Sequence, residues 1–415
     1  MQERGLGRPV QALALGLVVL QPFWTLLPLV RRFTPGAPIG LFDVLLVVLT
    51  ACSGPDLRRA VVRPPDRASR LAVVLVGLVF VAFLVHPSVA GALTPIRLCG
   101  ATCLWMALRS QTSMAATRRV AGALVAVAVF EAALAVAQIT VRQPVGGGVL
   151  TAASWPMNLL GHTVAPRGTF QHQFPLAAFS LLATFVGLAL LPTLRRETGR
   201  RMALALAVTA VPIGITFSRT ALIGLAAGLV ATMLVARPHD ATVMLGIAAA
   251  AVGALVPALL WRGGWESRIE TGAAAITARN PDLFASSRLH LAHGALVVVR
   301  DHPLAGIGPG RYTPGSAVAA QVSPSFPEEI VHDLPLFFAA EDGLPAGILA
   351  AVIVVGVGVV ALRRGRSGFP LFAAVLPFLV IDRLCYDGAH GLAFTAIWLA
   401  AVELVGRAAP ADLDG

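Results

Sequence analysis

The sequence predicts an all-α integral membrane protein with about twelve transmembrane helices and one long, partly helical extracytoplasmic loop. Its 415 residues are 57% hydrophobic and only 13% charged, whereas about a quarter of the residues in an average soluble domain are charged. Apolar runs of roughly 17 to 25 residues, the length that crosses a bilayer as a helix, recur along the whole chain. These two observations exclude a soluble globular protein.

Twelve spans follow from these runs, and the first of them resembles a signal sequence. Arginines precede an apolar run that starts at Val10, but the run continues to Val30 without a clear cleavage site. The run is therefore interpreted as an uncleaved first helix. The predicted spans cover residues 10–30, 39–54, 71–91, 92–108, 120–141, 171–191, 202–218, 219–236, 241–261, 335–362, 369–386 and 391–406.

The basic residues orient these spans. The chain has a formal net charge of +11 and contains no lysine, so all 32 basic residues are arginines. With a cytoplasmic N-terminus, most of them fall in short cytoplasmic loops, as the positive-inside rule requires. The charge therefore indicates membrane orientation, with both termini in the cytoplasm, and no nucleic-acid partner is expected. Three regions result: residues 1–261 with nine spans, residues 262–334 as the extracytoplasmic loop, and residues 335–415 with three spans and a cytoplasmic tail.

The long loop has a helical part and a turn. Residues 286–300, SSRLHLAHGALVVVR, begin with serines and carry apolar residues at helical spacing, which predicts an amphipathic helix with an N-cap. The glycines of GIGPG at 306–310 do not follow a strand or open a helix, so a turn is favoured over a dinucleotide-binding site.

Three arginines on the outer side are candidate ligands for a diphosphate. Arg167 precedes the sixth span, Arg219 lies between two apolar runs, and Arg288 begins the amphipathic helix. A guanidinium binds phosphate oxygens through two hydrogen bonds and needs no metal. The competing interpretation is that each arginine reaches a lipid headgroup or a loop acid at a helix end.

His332 is the candidate general base, because a histidine titrates near neutral pH. It stands at the outer mouth of the tenth span and is followed by Asp333, Glu341 and Asp342. Other histidines lie on the same side, so position alone does not select it. The four cysteines fall in apolar segments with no partner set for a metal, and no role is assigned to them.

At these residues the sequence resembles the O-antigen ligase and polymerase superfamily of bacterial membrane glycosyltransferases. The resemblance covers residues 160–350 and consists of four segments in order: RGTFQHQFPLAAF, SRTALIGL, SRLHLAHGALVVVRDHPLAGIGPGRY and HDLPLFFAAEDGLPAG. Two positions depart from the family pattern: Asp333 stands where the family usually has Asn, and Ala292 where many members have Trp.

The resemblance implies an enzyme of the bacterial cytoplasmic membrane, with its active site on the extracytoplasmic face, that takes a glycan from a polyprenyl-diphosphate donor. His332 would accept a proton from an acceptor hydroxyl, carried by a glycan or a lipid carrier. Arg167, Arg219 and Arg288 would hold the diphosphate, with Glu341 and Asp333 in support. The first outer loop, RRFTPGAP, has no acidic residue, which favours charge neutralisation by arginine, and neither a metal nor another cofactor is expected.

Three alternatives remain open from the sequence. The enzyme could be a polymerase of lipid-linked repeat units rather than a ligase. Asp43, Glu131 and the pair Asp382–Arg383 are charges within spans, which often mark a secondary transporter, although no internal repeat is evident. A non-catalytic assembly scaffold is the third alternative.

Overall fold

The part of the chain that the structure describes is almost entirely helical. A computed structural model describes residues 8–21, 41–53, 66–111, 113–145, 159–160, 162–170, 172–235, 240–279, 288–313, 315–325, 329–364, 368–382 and 388–408. Within them lie sixteen α-helices and one two-stranded antiparallel hairpin. In chain order these are α1 Arg8–Leu20, α2 Leu41–Cys52, α3 Arg67–Val85, α4 Val89–Arg109, α5 Met114–Val141, β1 Leu159–Leu160, β2 Thr163–Val164, α6 Gln173–Leu190, α7 Arg196–Ile215, α8 Arg219–Val235, α9 Ala241–Leu260, α10 Arg262–Thr277, α11 Arg288–Asp301, α12 Ala317–Val322, α13 Leu334–Asp342, α14 Leu344–Arg364, α15 Phe369–Ile381 and α16 Gly388–Ala408.

Six of these helices have the length and apolar composition needed to cross a membrane, and four more are shorter apolar helices. The long ones are α3, α4, α5, α6 with the turn that follows it, α9 and α14; the short ones are α1, α2, α8 and α15. Each of the twelve predicted apolar segments overlaps at least one helix. The chain is therefore an all-α membrane protein.

Helix α6 lies at the centre of the bundle. It packs against α5, α7 and α15, and nearly all of its residues are buried, as expected of a helix that is apolar on every side. Around it, α7 and α9 approach very closely, because Gly214 lies on the backbone of Ala254 and Gly253 on that of Ala207. Small residues at such crossings are the usual means by which helices pack in a bilayer.

Charged side chains gather at the end of the bundle that the arginine distribution predicts to be cytoplasmic. Arg109 donates to Asp66 at 2.6 Å and lies 3.0 Å from Glu403, which Arg407 also reaches at 3.2 Å. The guanidinium of Arg109 also stacks 4.5 Å above the ring of Trp105. The network joins the start of α3, the end of α4 and the last helix.

Asp43, one of the charges predicted within spans, forms an ion pair with an arginine of a neighbouring helix. Arg97 on α4 donates to Asp43 on α2 at 2.6 Å, and both side chains are mostly shielded. A charge inside a bilayer is costly unless it is compensated. The pair thereby joins two helices and gives both residues a structural role.

The predicted tenth span, residues 335–362, is not one helix. It divides at Gly343, whose φ of 94° is far from helical values, into the nine-residue α13 and the 21-residue α14. A side chain at this position would collide with the backbone of Leu304, so the division depends on glycine. The sequence predicted a single helix because the apolar run is continuous across Gly343, and hydropathy carries no information about backbone angles. Glu341 and Asp342 therefore end a separate short helix and lie outside the candidate span, α14.

Residues 262–334 contain α10, α11 and α12. The amphipathic helix predicted at 286–300 is present as α11, while the serines proposed as its N-cap lie outside the described residues.

Candidate active site

The loop between β2 and α6 carries Arg167 and is fixed by two polar side chains of α5. The amide oxygen of Gln138 accepts from the backbone N–H groups of Arg167 at 3.0 Å and Gly168 at 2.9 Å, and its Nε2 donates to the Gly168 carbonyl at 2.8 Å. Glu131 accepts from the N–H and the hydroxyl of Thr169, at 2.9 and 2.6 Å. Both α5 side chains are fully buried, so the loop is held from inside the bundle.

This arrangement predicts that Gln138→Leu destabilises the protein. Leucine has a similar volume, but it leaves two buried N–H groups and one carbonyl without partners, at about 1 to 3 kcal/mol for a buried unsatisfied group. The midpoint of thermal unfolding in detergent should fall clearly below that of the wild type. Thr140→Val is the matched control, because the exposed Thr140 hydroxyl bonds only within its own helix. A Gln138→Leu protein as stable as this control would contradict the clamp.

Arg167 itself is 2% exposed and is among the largest fully buried side chains. Burial lowers the pKa of its guanidinium, which nevertheless stays charged at any physiological pH. The described backbone contacts therefore hold a buried positive charge at the end of the hairpin.

The start of α8 is set by an unusual backbone turn. Phe217 has a φ of 53°, which is a rare conformation for a bulky residue. Its ring meets that of Trp265 edge-on at 5.8 Å, and Trp265 Nε1 donates to the carbonyl of Gly214 at 2.9 Å. Ser218 then caps α8 by accepting from Ala221 N–H at 3.2 Å. Helix α10 thus locks the turn that presents Arg219, the first residue of α8.

Three guanidinium groups come together here and form what we call the arginine cluster: Arg219, Arg268 and Arg288. Arg219 and Arg288 interact electrostatically with each other. Arg268, on α10, interacts with both, and burial together with their two charges lowers its pKa. All three side chains are half-buried. The cluster draws its members from the starts of α8 and α11 and from the middle of α10.

Arg268 was not singled out by the sequence, where it is one of six arginines in the long loop. The sequence did contain a signal for it. The positive-inside rule does not apply to long extracytoplasmic segments, so membrane orientation does not explain the six arginines there. Arg268 also follows Trp265 by three residues, which places both on one face of a helix. Choosing it among the six needed the contact between α10 and the Phe217 turn.

Glu341 holds the glycine turn that follows α11. Its carboxylate accepts from the backbone N–H groups of Gly310 at 3.0 Å and Tyr312 at 2.9 Å. Burial raises the pKa of this carboxyl, while hydrogen bonds from the backbone of Gly310, Tyr312 and Arg311 act in the opposite direction. The acid that the sequence places in an apolar helix is therefore an anchor for a neighbouring loop.

The turn also bonds to the backbone of α13. Ile307 N–H donates to the Ala340 carbonyl at 3.1 Å, and Gly308 N–H to the Glu341 carbonyl at 2.8 Å. The turn glycines at 306, 308 and 310 all have positive φ, which confirms that GIGPG forms a turn.

His332 directly precedes α13. Its side chain is half-buried and its Nδ1 is shielded from solvent. Asp333 caps the helix, since its carboxylate accepts from Leu336 N–H at 2.7 Å. Asn and Asp are equally good N-caps, so the departure from the family's Asn at this position preserves the cap. Burial raises the pKa of Asp333, and the bond from Leu336 opposes the shift.

The helices that follow Arg288 and His332 converge. Helices α11 and α13 pack together, and their C-terminal ends meet where Leu344 N–H donates to the Pro303 carbonyl at 2.8 Å. Near the middle of α11, Gly294 packs against Ser323, in the segment that leads to His332. The arginine and the histidine therefore stand at the starts of two helices in one packed unit.

Part of the chain matches a known protein family. Residues 202–351 match the family described as O-antigen ligase, and this range includes the arginine cluster, the glycine turn, His332 and Glu341, while Arg167 precedes it. A search of curated proteins finds no match. Three of the four sequence segments lie within this match, and the first, which carries Arg167, precedes it. The match supports membership of the chain in the O-antigen ligase superfamily.

Proposed function

We propose that the protein transfers a glycan from a polyprenyl-diphosphate donor to an acceptor hydroxyl at the outer face of the bacterial cytoplasmic membrane. The observation that carries the proposal is the arginine cluster inside the O-antigen ligase region. A diphosphate offers the several anionic oxygens that guanidinium groups bind best. Nucleotide sugars are scarce outside the cytoplasm, so the activated glycan would arrive on a lipid.

In the proposed reaction, His332 accepts the proton of the acceptor hydroxyl. The acceptor oxygen attacks the anomeric carbon, and the bond from that carbon to the diphosphate oxygen breaks. The diphosphate leaves with the bonding electrons and so gains one negative charge. Arg219 and Arg288 stabilise this developing charge, with Arg167 as a further candidate from the clamped loop.

The reaction needs no metal in this proposal, since arginine supplies the positive charge. Within the described parts of the chain, no three His, Cys, Asp or Glu side chains form a group that could hold a metal ion. A metal requirement would appear as loss of transfer in a chelator, and we expect none.

Twelve spans, with cytoplasmic termini and the cluster outside, complete the proposed topology. The network around Arg109 and Arg407 supports the assignment of that end to the cytoplasm, because it gathers residues from the predicted inner loops. In this topology residues 262–334 form the outer loop, between a first region of nine spans and a last region of three.

Two observations disfavour the transporter alternative. Asp43 is paired with Arg97, and Glu131 binds the backbone and hydroxyl of Thr169. These contacts occupy two of the charges that a transporter would need for coupling. Of the third set, the pair Asp382–Arg383, Arg383 lies outside the described residues. A polymerase remains the second candidate within the enzyme class, because the same site chemistry serves either acceptor.

The function is tested in membranes of a deletion strain. Lipid-linked glycan should accumulate there and be cleared when the wild-type gene is restored. The product distinguishes the two enzymes: glycan on a new carrier indicates a ligase, and longer lipid-linked chains indicate a polymerase. Donor levels that are the same with and without the gene, or uptake by the purified protein driven by a proton gradient, would overturn the proposal.

Replacing Arg219 or Arg288 by alanine should slow transfer by about 10- to 100-fold, the loss expected for one hydrogen bond to a charged group. The rate is measured with the purified protein and lipid-linked donor. Arg300→Ala is the control, because Arg300 is exposed at the far end of the same helix as Arg288. If Arg219→Ala and Arg288→Ala transfer glycan as fast as the control Arg300→Ala, these two arginines are not part of the site.

A further inference from the structure

We propose that Arg268 is a further diphosphate-binding residue, beside Arg219 and Arg288, which stabilises the charge that appears on the lipid diphosphate as the glycan leaves. The inference rests on the proposed function and assigns a role to a side chain of α10 that no sequence motif marks. Three features carry it: the fixed position of α10, the lack of a partner for Arg268 within the described parts of the chain, and the charge change of the reaction.

The position of Arg268 is fixed by the anchor at the start of α10. Trp265 bonds to the Gly214 carbonyl and meets the ring of Phe217, two residues before Arg219. Gly264 also lies against the Phe217 ring, and Gly263 approaches the hydroxyl of Thr163 on β2. Helix α10 is therefore wedged between the hairpin that leads to Arg167 and the turn that presents Arg219. One turn after this anchor, Arg268 extends from the same face toward the cluster.

Among the described residues, Arg268 has no partner of its own. Its Nε is shielded from solvent and has no hydrogen-bond partner, and no ion pair of this residue occurs among the described residues. Glu266, two residues before Arg268, pairs instead with Arg262 at 3.3 Å on the exposed side of the helix. A shielded donor without an acceptor is costly, and two neighbouring arginines add repulsion. An anion that enters the cluster would relieve both costs.

The reaction supplies such an anion and determines when Arg268 is needed. The donor diphosphate is esterified at both ends, whereas the departing diphosphate is free at the end that carried the sugar. The oxygen released there takes the electron pair of the broken bond. A third guanidinium beside the first two favours this more highly charged product and the transition state that leads to it. Loss of Arg268 should therefore lower kcat more than it raises KM.

The test measures pyrophosphate binding by the full-length protein in detergent, without any donor lipid. Inorganic pyrophosphate serves as the probe, inorganic phosphate as the comparison, and isothermal titration gives the affinity. The wild type should bind pyrophosphate more tightly than phosphate. Arg268→Ala should weaken pyrophosphate binding about 10-fold or more, and Arg268→Lys, which keeps the charge but not the fork, should fall between.

Arg262→Ala is the matched control, because Arg262 lies on the same helix with the same charge but is exposed. If Arg268→Ala unfolds, Arg268→Gln, which keeps most of the side chain, replaces it. An Arg268 variant that is folded and binds pyrophosphate as the wild type does, while Arg219→Ala does not, overturns the inference and leaves the proposed function intact. A wild type without any affinity for pyrophosphate overturns the anion site and the proposed leaving group together.

Discussion

Replacing His332 by alanine is expected to lower the rate of glycan transfer by about 100- to 10,000-fold, the usual contribution of a general base. The proton of the acceptor hydroxyl would then have no acceptor in the site, while the diphosphate would still bind to the arginines. KM for the lipid donor should therefore change little. The measurement is the rate of transfer by the purified protein over a range of donor concentrations, which gives kcat and KM separately.

His293→Ala is the control for this experiment, because His293 is exposed on α11, the helix that begins at Arg288. It should transfer at the rate of the wild type. A folded His332→Ala protein with full activity would remove the histidine from the reaction, whatever the state of the arginine cluster.

Replacing Glu341 by alanine is expected to destabilise the protein by about 2 to 4 kcal/mol, because backbone N–H groups in the glycine turn lose their acceptor. Thermal unfolding in detergent measures the loss, and donor transfer should fall with it as the segment around Tyr312 loosens. Tyr312 is buried beside the backbone of Val331, the residue before His332. Loosening of the glycine turn would therefore affect the position of His332 through the side chain of Tyr312.

Two further variants test the interpretation of Glu341. Glu270→Ala removes an exposed acid from α10 and should be neutral. Glu341→Gln keeps the shape and one acceptor oxygen, but its NH₂ group faces an N–H donor, so its stability should lie between those of the wild type and the alanine variant. If Glu341→Ala is as stable as Glu270→Ala, the carboxylate does not anchor the turn.

The positions of most helices were predictable, since long apolar runs have few alternatives to a helix in a bilayer. The division of the tenth segment was not, because Gly343 needs φ = 94° only where it meets the backbone of Leu304. Hydropathy averages over many residues and does not detect one glycine. The turn at GIGPG was predictable, because a local cluster of glycine and proline is itself a turn signal.

Part of the candidate site could also be predicted from the sequence, and part could not. Arg219 and Arg288 were proposed from the sequence because both are arginines at helix starts on the predicted outer side. His332 shares its side with other histidines, so its proposal depended on the family resemblance. Gln138 and Glu131 did not suggest a clamp, since their partners in the loop after β2 are about 30 to 40 residues away. Arg268 depends on the contact between Trp265 and Phe217, which joins segments separated by a whole helical hairpin. Such long-range contacts leave no periodicity in a sequence.

The network around Arg109 bears on how the protein is made. Arg109 ends the fourth helix and meets Asp66 before the third, so this first pair can form early in synthesis. Its other carboxylate, Glu403, belongs to the last helix, which leaves the ribosome about 290 residues later, as the spacing of the two positions requires. Helix α16 also packs along α4. Insertion of the early helices therefore precedes closure of the bundle, and a nascent chain that stops before α16 exposes one face of α4 to lipid or to the membrane insertion machinery.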